Sequence, residues 1–157
     1  MNTLKPAKQL AKAIAIASAS HITQFDRGGQ PYILHPLRVM FRLRTDDHEL
    51  MAIAVLHDVV EDDVDITIES LKAEGFSHRV TDALLSLTHL PEESYFDYIE
   101  AMANNKDALL VKKEDLDDNS RITRLNGVQQ KDLDRIEKYH NAYLMVKKYL
   151  KAFDCSL

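Results

Sequence analysis

The chain has 157 residues, enough for one domain with its own core. Its composition, 45% hydrophobic and 29% charged, is ordinary for a soluble globular protein. With 20 Lys+Arg against 25 Asp+Glu the formal net charge is -5, which argues against broad nucleic-acid binding. A small anionic substrate is still open to it, because a metal ion and a few local cations can reverse the field inside a cleft. The single cysteine, Cys155, rules out a disulfide within the chain and fits a reducing compartment. Lys5, Lys8 and Lys12 interrupt the apolar positions of the N-terminus, so no cleavable leader is expected. No stretch of about 18 apolar residues exists to span a membrane. The expected location is the cytoplasm.

Only four glycines and four prolines punctuate the chain, and helical periods dominate it. Residues 4–20 place Leu4, Ala7, Leu10, Ala11, Ile14, Ala15 and Ala17 at helical spacing, with small residues that allow close packing. His21 to Pro36 is irregular and carries Gly28-Gly29 and Pro31. Pro36 is placed as the first residue of a helix that continues through Leu37, Val39, Met40 and Leu43. Thr45 or Asp46 is expected to cap the next helix, which runs through Met51 to about Val60. A short helix follows from Asp65-Ile66-Thr67 through Leu71 and stops at Gly75. Ser77 caps another, Pro91 breaks it, and Ser94 opens a helix with Tyr95, Phe96, Tyr98 and Ile99. Residues 106–125 and 130–152 form two long helices. The expected fold is all-α, a single compact helical bundle over residues 1–157.

The most informative stretch is Leu56-His57-Asp58-Val59-Val60-Glu61-Asp62-Asp63. It sets one histidine and four acids directly after the apolar run Ala52–Leu56. Ionisable groups at the end of a buried helix cost free energy unless they are paired or bind a cation. On a continuous helix His57 would stand over Glu61, and Asp58 over Asp62. Two further segments carry metal-competent side chains: His35, before Pro36, and Asp115, in Val111-Lys112-Lys113-Glu114-Asp115-Leu116-Asp117-Asp118-Asn119. Two imidazoles and two carboxylates make a mixed nitrogen and oxygen set that suits Mn, Fe, Zn, Ni or Mg. Four protein ligands leave positions open for a water or a phosphate oxygen.

Together these segments resemble the HD-domain metal-dependent phosphohydrolases, and within them the hydrolase domains of the RelA/SpoT group and the small alarmone hydrolases. Gly29-Gln30-Pro31-Tyr32-Ile33-Leu34-His35-Pro36 is similar to the group's Gly-x-Pro-Tyr-Ile-x-His-Pro. Leu56 to Asp62 is similar to its Leu-His-Asp-x-x-Glu-Asp, and Val111 to Asn119 to its Val-Lys-x-x-Asp-x-x-x-Asn. The likeness runs from about residue 10 to about residue 150. It implies a helical HD bundle, a divalent metal (commonly Mn²⁺) held by His35, His57, Asp58 and Asp115, and hydrolysis of a phosphate ester of a nucleotide. A (p)ppGpp-type 3′-pyrophosphohydrolase is the most concrete form of that activity.

In this scheme Glu61 orients or deprotonates the attacking water and Asp62 supports it. Asn119 matches the position that contacts the nucleotide sugar. Lys112, Arg27, Arg38 and Arg121 are the candidate phosphate or base contacts. The chain departs from the group where a basic residue usually lies against the guanine, nine positions before the first histidine. Asp26 stands there, with Arg27 beside it. Val-Lys-Leu-Ala-Asp becomes Val111-Lys112-Lys113-Glu114-Asp115, and Ile122 stands where the group often has Thr. A different nucleotide substrate, or a non-catalytic nucleotide- or metal-binding sensor on the same scaffold, stays open. A second copy of the chain stays open as a partner too, since the last helix has apolar residues enough for core or interface.

Overall fold

A computed structural model describes residues 3–155. The described chain forms α1 (Pro6–Ser20), α2 (Leu34–Arg42), α3 (His48–Leu56), α4 (Val59–Asp62), α5 (Ile68–Ala73), α6 (His78–Leu87), α7 (Tyr95–Ala101), α8 (Lys106–Asn119) and α9 (Gln130–Asp154). Short 3-10 turns at Met102–Asn104 and Ile122–Arg124 flank α8. Among the described residues the nearest thing to a strand is one isolated bridge between Phe25 and Pro31. The fold is all-α, as the periodicity predicts.

The architecture is built around α3. Its residues Ala52, Ile53, Ala54, Val55 and Leu56 are all fully buried, which fits a helix apolar on every side. It packs against α1, α2, α6 and α8. Ala13 and Ala17 on α1 are fully buried and let that helix approach closely. Burying a side chain the size of Ile53 or Leu56 contributes roughly 1.5–3 kcal/mol, so this one helix anchors much of the core. The last helix, α9, lies along α8 and covers one side of it. Gln9 is buried yet satisfied: its amide nitrogen donates to the Leu4 carbonyl and to Glu49, and its oxygen accepts from the Ser77 amide.

Several helix ends follow from local chemistry. Ser77 accepts from the Val80 amide, and Ser94 from the Asp97 amide. Thr67 and Ser70 form a reciprocal capping box at α5. Other ends differ from expectation. The cap of α3 is Asp47, whose carboxylate accepts from the Glu49 and Leu50 amides; Thr45 instead holds the Asp47 amide. The second helix starts at Leu34, two residues before Pro36, because the amides of Leu34 and His35 are satisfied by the carbonyls of Pro31 and Tyr32. The helix of residues 106–125 stops at Asn119, where the Ser120 amide closes the last turn on Leu116, and a 3-10 turn follows. The expected continuous helix through Val60 is interrupted at His57-Asp58, and the chain restarts as the one-turn α4. That interruption frees the doublet to point into the space between α2, α3 and α8.

Candidate metal centre

The three segments predicted to converge do so. The imidazole rings of His35 and His57 lie edge to face with centroids 5.2 Å apart. His35 Nε2 is 3.5 Å from Asp58 Oδ2 and 3.2 Å from Asp115 Oδ1. His57 Nε2 is 3.1 Å from Asp58 Oδ2 and 3.6 Å from Asp115 Oδ1. The ligand atoms of His35, His57 and Asp58 all fall within 4.8 Å of one another. Asp115 lies outside that mutual set but reaches both imidazoles.

The protonation pattern favours a cation at this point. His57 Nδ1 lies 2.8 Å from the Ala54 carbonyl, which can only accept, so Nδ1 carries the hydrogen. Whenever the ring is neutral, it presents its Nε2 lone pair to two carboxylate oxygens. Lone pairs at these separations repel unless a proton or a metal stands between them. His35 is arranged alike, with Nδ1 2.8 Å from Asp118 Oδ2. Both Nε2 atoms are buried without a hydrogen-bond partner. Burial works against charging either ring, yet the surrounding carboxylates outweigh it and raise both histidines above their ordinary value. Burial likewise opposes ionisation of Asp58 and Asp115; the two imidazoles, and Lys112 beside Asp115, overcome it and hold both acids below the usual carboxylate range. The cluster demands positive charge, and its mixed donor set fits a divalent metal.

No family model matches the chain, but known proteins resemble it over long stretches. A guanosine-3′,5′-bis(diphosphate) 3′-pyrophosphohydrolase of Aquifex aeolicus is 34% identical over 123 residues, 72% of this chain and 17% of that protein. One of the same name from Vibrio cholerae is 35% identical over 99 residues, 61% of this chain and 14% of the relative. The bifunctional (p)ppGpp synthase/hydrolase SpoT of Escherichia coli is 33% identical over 101 residues, 62% and 14% respectively. Over these stretches the chain is similar to the RelA/SpoT-type hydrolases, which supports an HD-domain hydrolase-like family. It spans only about 14–17% of the length of these relatives.

Around the centre, the chain holds each acid by a named partner. Tyr32, three residues before His35, donates its hydroxyl to Asp58 Oδ2 at 2.7 Å. Asp115 accepts from Lys112 at 2.9 Å on one oxygen and from the Asn119 amide on the other. Lys112 is itself packed between the rings of Tyr95 and Tyr98. Glu61 stands at the cavity and accepts the His89 backbone amide. Burial, helped by the nearby Asp58 charge, raises its carboxyl above the ordinary value despite that hydrogen bond. Asp62 accepts from Gln24, whose oxygen in turn faces buried His21 Nδ1 at 2.7 Å.

Three of the four candidate ligands, His35, Asp58 and Asp115, line a cavity of about 350 Å³, and His57 lies behind them. Of the predicted substrate contacts, Arg27, Lys112, Asn119 and Arg121 line it. Arg38 does not: its guanidinium grips Asp118 behind His35, with three nitrogen-to-oxygen contacts of 3.1–3.2 Å. Arg124 and Arg135 also line the cavity, and each keeps one buried nitrogen without a partner. Five basic side chains, Arg27, Lys112, Arg121, Arg124 and Arg135, thus line the cavity beside five acids, Asp26, Asp58, Glu61, Asp62 and Asp115. Asp26 serves the loop: its Oδ1 accepts the amides of Gly28 and Gln30, and its Oδ2 lies 3.6 Å from Arg124 and 3.9 Å from Arg38. The roles of Tyr32 and Asp118 were missed by sequence reasoning. Asp118 lies one turn beyond Asp115 on α8, so helical spacing was the available signal. His89 holds Glu61 through its backbone amide, while its ring Nε2 lies 2.9 Å from the Glu93 carbonyl oxygen.

Proposed function

We propose that this chain is a metal-dependent phosphohydrolase acting on a nucleotide, most concretely a (p)ppGpp-type 3′-pyrophosphohydrolase. The observation that carries the reading is the pair of buried, unpartnered Nε2 atoms facing two carboxylates beside a cavity that four arginines and Lys112 help to line. The printed names of the relatives support the substrate. His35, His57, Asp58 and Asp115 would hold a divalent metal, with Mn²⁺ the first choice by family and donor set. When bound, such an ion lowers the pKa of a water ligand and offsets charge on phosphoryl oxygens.

The residues of the chain supply the rest. Glu61, fixed by the His89 amide, accepts a proton from the attacking water or orients it. Asp62, held by Gln24, supports Glu61. Water oxygen bonds to phosphorus, the bond to the ester oxygen breaks, and that oxygen regains a proton. Arg27 and Arg121 bind phosphate oxygens along the wall, and Asn119, which secures Asp115, reaches toward the sugar. The conformation of Asp26 favours leaving the base open. Its carboxylate is turned into its own loop and two arginines, so base contacts fall to other residues of the cavity.

A phosphate- and pyrophosphate-release assay with Mn²⁺, across nucleotides that vary in base and in 3′ and 5′ phosphorylation, tests the proposal. Release from (p)ppGpp above the other members supports it. Release from another member only reassigns the substrate, and no release from any member by metal-loaded protein points to a sensor.

A further inference from the structure

Asp118 lies behind the metal site, fully buried, 83 residues along the chain from the histidine that it touches. Its Oδ2 faces His35 Nδ1, while Arg38 contacts both of its oxygens and Arg124 Nη1 stands 3.4 Å from Oδ2. The same two arginines reach Asp26 Oδ2. Two carboxylates and two guanidiniums thus form a closed, neutral box. One corner touches a metal ligand, and another organises the loop 26–30 at the cavity rim. The two imidazoles are supported unequally. A backbone carbonyl accepts from His57, whereas a full carboxylate accepts from His35. A carboxylate acceptor fixes the ring and its tautomer and makes the opposite nitrogen a stronger donor to metal.

Resting on the metal-dependent reading above, we infer that Asp118 is a positioning residue that sets the metal affinity of His35, and that Arg38 and Arg124 serve to hold Asp118 and Asp26 in place. Arg38 is thereby assigned to the metal site's support and not to the substrate. An Asp118 carboxylate without arginine partners would be a buried uncompensated charge.

The test measures Mn²⁺ affinity by titration calorimetry, and the visible spectrum of the Co²⁺-loaded protein, for wild type, Asp118→Asn and the control Asp117→Asn. Asp117 is half-exposed and paired with Arg42 on the neighbouring surface. Circular dichroism of the metal-free forms checks the fold. Asp118→Asn is expected to bind Mn²⁺ about 10–100-fold more weakly and to alter the Co²⁺ spectrum, while Asp117→Asn changes neither. Should Asp118→Asn fail to fold, Arg38→Met, which leaves the carboxylate in place, is expected to weaken binding in the same direction. Folded variants with wild-type affinity and spectrum overturn the inference, and so does a wild type that binds neither ion. Normal metal binding without nucleotide hydrolysis refutes only the proposed activity, and the Asp118→Asn comparison then decides this inference by itself.

Discussion

Replacing Tyr32 by Phe isolates one hydroxyl beside the proposed metal. The ring would stay packed against His21 and His35, whose centroids lie 4.9 and 5.5 Å away, so the substitution leaves the packing in place. What is lost is the 2.7 Å hydrogen bond to Asp58 Oδ2, the Asp58 oxygen that faces both imidazoles. Burial, reinforced by the Asp58 charge, pushes the phenol far above its ordinary pKa, so Tyr32 is a donor at any working pH. A hydrogen bond to a charged group contributes about 1.5–3 kcal/mol. The Asp58 side chain keeps 21% of its exposure, so water can replace part of what is removed, and the lower end applies. About 1.4 kcal/mol is a tenfold change, so Tyr32→Phe should weaken Mn²⁺ binding about tenfold. Calorimetric titration at fixed pH reads this directly. Wild-type affinity in a folded Tyr32→Phe protein would show that Tyr32 only packs and that Asp58 needs no fixed donor.

Glu61→Gln should lower kcat by about 10²–10⁴ while Mn²⁺ still binds, and unchanged turnover would remove Glu61 from the reaction. The Glu61 carboxyl is raised by burial, and its ionised form is the active one. Hydrolysis should therefore fall away on acidification through a pKa above that of an ordinary glutamate, a limb of the rate profile that Glu61→Gln should lack. Gly28→Ala places a Cβ 2.5 Å from the Arg124 carbonyl oxygen, a backbone atom that cannot turn aside, so the loops 26–30 and 121–125 must part. Nucleotide KM should rise with Mn²⁺ affinity unchanged; equal KM values would mean that this contact does not shape the cavity. Leu84→Ala, at a core position 1% exposed, should cost about 2–5 kcal/mol in a denaturant titration, and a loss below about 1 kcal/mol would mean the site collapses freely.

The sequence by itself determined what depends on near neighbours. Helical periods, scarce glycine and proline, and the caps Thr67, Ser77 and Ser94 dictate an all-α chain, because a cap or an amphipathic face is settled within one turn of backbone. The four metal-competent residues were legible through the same local motifs, since their spacing and neighbours carry the resemblance. Tertiary structure decided where helices end when the competing contacts are remote. The apolar period runs through His57-Asp58 without a mark, yet the helix breaks there because the doublet must face α2 and α8. Only the fold could pair Tyr32 with Asp58, 26 residues on, or send Arg38 to Asp118 across 80 residues, away from the substrate side. Buried ion pairs of that kind form where packed helices exclude water and leave each charge to find its partner, and no local pattern of residues encodes which partner that will be.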